Sequence, residues 1–190
     1  LLHKCVETYE YLPEGVRDRL RERIGFEATE LDRWRHIVER MAVVITDDGI
    51  ISQFDGWMTL EELDWEQYRR KYDNIRRLDR ILKAEGNSPN RYKASKQADA
   101  LQTFYMLAPG QVSHILRLMG YETGDPAEFA RKNYEYYVQR TSHGSTLSYV
   151  VHSAILKYLD RHKHDQWKWF LEALRSDIYD TQGGTTLEGI

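Results

Sequence analysis

The chain of 190 residues holds one cysteine, Cys5, which excludes an intramolecular disulfide framework and any zinc site built on cysteines. It lacks an excess of either charge: 27 Lys and Arg against 30 Asp and Glu leave a formal net charge of −3. That balance removes the basic footprint of a nucleic-acid binder. No apolar run approaches the roughly 20 residues of a membrane span; Met41 to Ile45 is among the longest. No phosphate loop of the Gly-x-x-x-x-Gly-Lys-Ser/Thr type occurs, and no convincing period of a repeat solenoid. With hydrophobic residues at 41%, the chain still has enough to bury a core. A cytoplasmic protein without nucleic-acid or membrane partners is the expectation. The 13 Tyr and 5 Trp are suited to sugar binding but are not specific to it.

Both ends read as cut. Leu1-Leu2-His3-Lys4 has no initiator Met and no signal-peptide pattern. Leu1, Leu2, Cys5, Val6, Tyr9 and Leu12 already recur at helical spacing. At the far end Thr185 and Glu188 form a capping-box pattern, so that a helix is expected to begin just as the sequence stops at Ile190. The expectation is a piece of a longer polypeptide.

Between the ends the pattern is helical. Pro13 closes the first helix, and a second is predicted from Glu14 to Ile24. Thr29 with Asp32 opens a third, with Leu31, Trp34, Ile37, Val38 and Met41 on one stripe. The alternating charges from Arg17 to Arg40 read as a solvated helical face. After the turn Asp47-Asp48-Gly49 comes a short strand or extended loop at Ile50, Ile51 and Phe54. Residues 56–92 read as a long excursion with short helices. Further helices are predicted near Gln97–Leu107, Gln111–Leu118, from Asp125-Pro126 to Tyr137, Leu147–Leu159, and from a charged break at Arg161–Asp165 to Ile178. With roughly eight helices and almost no strand pattern, the class is all-α.

Three polar loops run straight into apolar helices: Ser95-Lys96-Gln97, Thr141 to Thr146, and Asp180 to Thr186. A helix start offers unpaired N–H groups and partial positive charge, and glycine lets backbone approach a ligand. Gly144-Ser145-Thr146 fits an anion site, with His143 as a further donor and Lys96 as a charge partner; an ordinary Ser/Thr N-cap fits it too. His162-Lys163-His164-Asp165 reads as a solvated turn rather than a metal site, and His152 as a partly buried, hydrogen-bonded side chain. His3, His36 and His114 lack ligand spacing, and no metal site is expected. Among Asp55, Asp64, Glu66, Asp99, Asp180 and Glu188, none stands out as a general acid. Glu188 has its capping role, and Asp99 complements a helix dipole.

Four blocks in order, Gln53-Phe54-Asp55-Gly56, Lys96-Gln97-Ala98-Asp99, Thr141 to Ser148 and Asp180 to Ile190, resemble the glycoside hydrolase family 65 phosphorylases of maltose, trehalose, kojibiose and nigerose. Leu63-Asp64-Trp65-Glu66 and the stretch Ala84-Glu85-Gly86-Asn87 are similar to a bacterial branch known only as glycosyl hydrolases. The resemblance covers essentially the whole chain. It implies that residues 1–190 are the C-terminal portion of one (α/α)6 catalytic domain, truncated at both ends. It further implies inverting phosphorolysis of an α-glucoside to β-glucose 1-phosphate and a free sugar, with inorganic phosphate as co-substrate and no cofactor. By position, His143, Gly144, Ser145 and Thr146 match the phosphate-binding loop, and Lys96 and Gln97 the pair that contacts glucose or phosphate. Where the family often has a second Ser, this chain has Thr146, which keeps the hydroxyl. The family's general acid is the Glu of a Gly-Pro-Asp-Glu motif absent here, so no catalytic residue is assigned and the acid is expected upstream of Leu1. The chain by itself is therefore expected to be inactive. Its expected partners are disaccharide, phosphate and the remainder of the parent polypeptide; family enzymes are commonly homodimers. A hydrolase of the same fold, with water as nucleophile, and a non-catalytic helical interaction module are the alternatives.

Overall fold

The computed structural model describes residues 1–97, 99–159 and 163–179, with the side chains of Lys163 and Asp177 excepted. Among them are ten α-helices, two single-turn 3-10 segments and only isolated β-bridges. The all-α class is observed, as expected of part of an (α/α)6 barrel. The capping box of Thr185 and Glu188 lies outside the described residues.

The chain divides into two compact units. The first comprises residues 1–43 and 113–123. It contains α1 (Leu2–Tyr11), α2 (Glu14–Ile24) and α3 (Ala28–Arg40). Gly25 ends α2 in the left-handed region at φ 64°, donating its N–H to the Arg21 carbonyl, which glycine does without a Cβ penalty. The N-cap of α3 corrects the expected one: Glu27 and Glu30 form the capping box, so the helix starts before Thr29. Glutamate spans the cap as Ser or Thr does, a substitution a Ser/Thr-based search misses. Val6, Tyr9, Phe26 and Leu31 form the core, with Leu20 and Trp34 against them. On the predicted stripe, Ile37 and Met41 are exposed. The charged face is solvated as expected, with ion pairs Arg21–Asp18, Arg35–Asp32 and Arg35–Glu10.

The second unit, residues 44–112 and 124–190, carries the candidate site. Its excursion holds single turns at Trp57–Thr59 and Pro89–Arg91 and two short helices, α4 (Trp65–Lys71) and α5 (Leu78–Ala84). They close over Leu63, Leu78 and Leu82. Tyr68, Lys71 and Tyr72 all hydrogen-bond to Glu85, and those donors hold its carboxyl down at about 2.

The longer helices are α6 (Asp99–Met106), α8 (Pro126–Val138), α9 (Thr146–Leu156) and α10 (Lys163–Ile178). Between α6 and α8, α7 (Pro109–Leu118) starts at its proline, two residues before the expected Gln111 and with no separate turn; Pro is well suited to a first helical position. Likewise α10 begins at Lys163, so His164 and Asp165 belong to a helix rather than to a break; His162 is outside the described residues. Asp125 caps α8 through the Glu128 N–H at 2.8 Å, with Pro126 next, as expected. Phe104, Phe129, Tyr134, Tyr137, Val151, Ile155 and Leu156 are the buried core of the four-helix set.

Two fully buried polar side chains on α8 fasten the Gly49–Phe54 segment to that core. Asn133 Oδ1 accepts the Ile51 N–H at 2.8 Å, and its amide donates to the carbonyls of Gly49 and Phe129, both at 2.9 Å. Tyr137 donates to the Ile51 carbonyl. The segment is thus extended, paired on one edge with residues 44–46 (Ser52 N–H to the Val44 carbonyl at 2.8 Å, Thr46 N–H to the Ile50 carbonyl at 3.0 Å) and satisfied by α8 side chains on the other. Asn133→Leu would leave the Ile51 N–H and Gly49 carbonyl unpaired. Each orphaned buried group costs about 1–3 kcal/mol. A loss of about 3 kcal/mol in urea unfolding is expected; a change below ~0.5 kcal/mol would remove this anchor from the account of the fold.

Candidate functional site

The site starts from two of the loops singled out by sequence. They lie side by side, joined by a parallel bridge between Ser95 and Thr141. Ser95 donates its N–H to the Arg140 carbonyl at 2.9 Å, and its own carbonyl accepts the Ser142 N–H at 2.8 Å. Gly144 continues the ladder, donating to the Lys96 carbonyl at 3.2 Å. Beneath them, Thr141 Oγ1 donates to the Tyr137 carbonyl at 2.7 Å and lies 3.3 Å from Ser95 Oγ.

A third segment, residues 73–77, closes the other side. Ser142 Oγ donates to the Arg76 carbonyl at 3.1 Å. A Cβ on Gly144 would lie 2.2 Å from that carbonyl oxygen and 3.0 Å from Lys96 Cγ. Space, rather than an unusual φ, therefore demands glycine here. Arg76 was invisible to sequence reading: it is one of many charges in the irregular region, and no spacing marks it. Its guanidinium donates to Tyr149 Oη at 2.8 Å and pairs with Glu172 of α10 at 3.4 Å.

His143 sits at φ 55°, the left-handed region that side-chain-bearing residues seldom occupy. Its ring stacks on Tyr149 (centroids 5.5 Å, 14°) and contacts Trp169 (4.5 Å) and His152 (4.8 Å). Nδ1 is 2.9 Å from Ser148 Oγ. Burial, then the neighbouring His152, Arg76 and Arg69, push the His143 ring down to about 3. Burial also brings His152 down to about 4, against its bond to the Ser148 carbonyl. Both rings are neutral at physiological pH, and His152 is fully buried where partial burial was expected.

Ser145 is the N-cap of α9, yet its side chain makes no cap hydrogen bond. Thr146 Oγ1 lies 3.0 Å from Ser176 Oγ of α10. Lys96 is exposed and forms no ion pair with a described residue; Gln97 is half-buried. Together with Gln53, Phe54, Trp57, Ser95 and Asp99 they line a pocket of about 380 Å³. Two of the four sequence blocks thus meet in one cavity. Gln53 Oε1 accepts the Ala100 N–H at 3.0 Å in the first turn of α6, linking pocket wall to helix. Trp57 is buried with its indole N–H directed to Tyr136 Oη at 3.3 Å. Aromatic surface beside amide and ammonium donors suits a polyhydroxylated ligand, with the His143–Thr146 loop one ladder rung away.

Asp64 caps α4 and Asp99 holds the Gln102 amide, so neither is poised as an acid. Asp180, Glu188 and the third polar loop lie outside the described residues. No cluster of three metal-ligating side chains occurs among the described residues, and no helix of them is long and apolar enough to cross a membrane.

The model of the glycosyl hydrolase family 65 central catalytic domain matches residues 2–190, and the chain belongs to that family. It is 46% identical over 187 residues to an uncharacterized glycosyl hydrolase of Mycobacterium tuberculosis, covering 98% of this chain and 14% of that protein. It is 36% identical over 168 residues to a trehalose 6-phosphate phosphorylase of Lactococcus lactis, covering 87% of this chain and 22% of the relative. A kojibiose phosphorylase of Halothermothrix orenii is 28% identical over 163 residues, covering 82% and 18% respectively. The chain therefore spans between about a seventh and a quarter of the length of these relatives.

Two outcomes are expected of this geometry. Gly144→Ala forces backbone apart and should cost about 1–3 kcal/mol in urea unfolding; an unchanged midpoint would mean the close approach is not constraining. His143 and His152 set an acid dependence. Their unfolded forms bind protons near pH 6.5 while the folded rings do so only at about 3 and 4. Stability is therefore intact above pH 6.5 and lost as pH falls below it, by about 1.4 kcal/mol per pH unit per ring. Urea unfolding at pH 7, 6 and 5 should show a shallower slope for His152→Gln by about one proton. Equal slopes would refute the neutral-ring assignment.

Proposed function

We propose that the polypeptide to which this chain belongs is an inverting disaccharide phosphorylase, and that residues 1–190 form the C-terminal portion of its (α/α)6 catalytic domain. A phosphate oxygen attacks the anomeric carbon of an α-glucoside, the C1–O bond to the leaving sugar breaks, and β-glucose 1-phosphate forms. A carboxylic acid, supplied by polypeptide outside this chain, gives its proton to the departing oxygen. Phosphate takes the place of the activated water of an inverting hydrolase. No cofactor enters this scheme.

The observation that carries the reading is the pairing of the Lys96 and Gly144 loops, which sets a sugar-sized pocket beside a helix start with an uncapped Ser145. His143, Gly144, Ser145 and Thr146 are assigned to phosphate. Lys96 and Gln97 are assigned to the sugar or to phosphate between the two. Lys96, which forms no ion pair among the described residues, and N–H groups of the first α9 turn favour an anion there. The likeness to phosphorylases of trehalose 6-phosphate and kojibiose supports a glucosyl disaccharide, free or phosphorylated. A cytoplasmic homodimer, with no nucleic-acid or membrane partner, completes the reading. The mycobacterial relative's name makes hydrolysis the second reading, since the same scaffold can deliver water.

The test uses the uninterrupted parent protein, with the 190-residue chain as control. Trehalose, trehalose 6-phosphate, maltose, kojibiose and nigerose are each supplied with and without phosphate, and glucose 1-phosphate and free glucose are assayed. Phosphate-dependent glucose 1-phosphate from the parent alone is expected, because loss of a positioned acid typically costs about 10²–10⁴-fold. Glucose released equally without phosphate means hydrolysis. Ser145→Ala combined with Thr146→Ala in the parent should raise the phosphate KM at least about tenfold; unchanged saturation would take the loop out of the mechanism.

A further inference from the structure

We infer that Ser148, backed by His152, is a positioning residue that fixes His143 as the Nε2–H tautomer, so that the ring presents a hydrogen-bond donor to phosphate. The inference rests on the reading of His143–Thr146 as the phosphate loop.

Hydrogen-bond accounting selects the tautomer. Ser148 is 1% exposed, and among the described residues its hydroxyl has one partner, His143 Nδ1 at 2.9 Å. If Nδ1 carried the proton, it would donate to Ser148 Oγ, and the buried hydroxyl proton would then have no acceptor. If Nδ1 is bare, Ser148 donates and both groups are satisfied. Orphaned buried donors are rare because they keep their full desolvation penalty. A neutral imidazole has one N–H, so a bare Nδ1 puts it on Nε2. Nε2 of His143 has no hydrogen-bond partner among the described residues, and the residue is only partly buried.

His152 supports the same arrangement from one turn along. Its Nδ1 lies 2.7 Å from the Ser148 carbonyl, which can only accept, so His152 is an Nδ1–H donor and its buried Nε2 is bare. The bond holds the Ser148 turn, and the ring stands edge-on to His143 at 74°. Two neighbouring neutral histidines thus hold opposite tautomers, His152 with its N–H spent on the Ser148 carbonyl and His143 with its N–H on Nε2, which has no partner among the described residues. Neutrality matters because an imidazolium donates from both nitrogens and would need no Ser148 to choose between them.

A double-mutant cycle in the uninterrupted parent protein tests this. Glutamine places an amide donor near the position of Nε2, and asparagine near that of Nδ1. Ser148→Ala should raise the phosphate KM about tenfold with the disaccharide KM within about twofold, and Ser148→Thr should restore it. In a His143→Gln background, whose donor needs no tautomer, Ser148→Ala should change the phosphate KM less than about twofold. An equal effect in both backgrounds, or a parallel rise in both KM values, would make Ser148 merely structural and overturn the inference. Should Ser148→Ala not fold, the comparison of His143→Gln with His143→Asn decides: asparagine retaining phosphate binding as well as glutamine also overturns it. Should the Ser145/Thr146 double variant leave phosphate saturation unchanged, the loop reading falls and this inference with it. If that variant does raise the phosphate KM while Ser148→Ala does not, only the role of Ser148 falls.

Discussion

The arrangement of the candidate site depends on three stretches of backbone meeting without a side chain between them. Gly144 lies against the Arg76 carbonyl while its N–H reaches the Lys96 carbonyl, so the irregular excursion, the start of α6 and the start of α9 share one point. With the glycine fixed in place, His143 before it is forced into the left-handed region and its ring is delivered to Tyr149 and Trp169. The residue after it, Ser145, becomes a helix cap whose hydroxyl is not spent on the helix.

Behind the loops, buried side chains on and beside α8 hydrogen-bond the backbone that carries the site. Asn133 and Tyr137 satisfy the edge of the extended segment that faces away from residues 44–46, and Thr141 and Ser95 tie the loop pair to the end of α8. A site built this way is held by hydrogen bonds whose loss is expensive in a dry interior.

Much of this was legible in the sequence where the signal is local. Pro13, Asp125 and Pro126 mark helix boundaries, and the glycine and hydroxyl residues at 141–146 mark a helix start. Four things were not legible. The cap of α3 is made by glutamates rather than by Thr29, because side-chain reach and not residue class decides the geometry. The role of Arg76 is set by its carbonyl, an atom every residue has. The pairing of the Ser95 and Thr141 loops joins positions 46 residues apart, and nothing periodic in either segment announces it. The aromatic cage around His143 likewise draws Trp169 from α10, beyond the range of any spacing rule.

Gln53 illustrates how a helix can determine what a neighbouring cavity recognises. An amide has one end that gives and one that receives, and α6 has claimed the receiving end by donating the Ala100 N–H to it. The pocket is left with the NH2 end, beside an ammonium group at Lys96 that can also only give. A molecule that settles there can turn lone pairs, of a hydroxyl as readily as of an anionic oxygen, toward the Gln53 NH2 and Lys96, and the first turn of a helix has settled which way that amide faces.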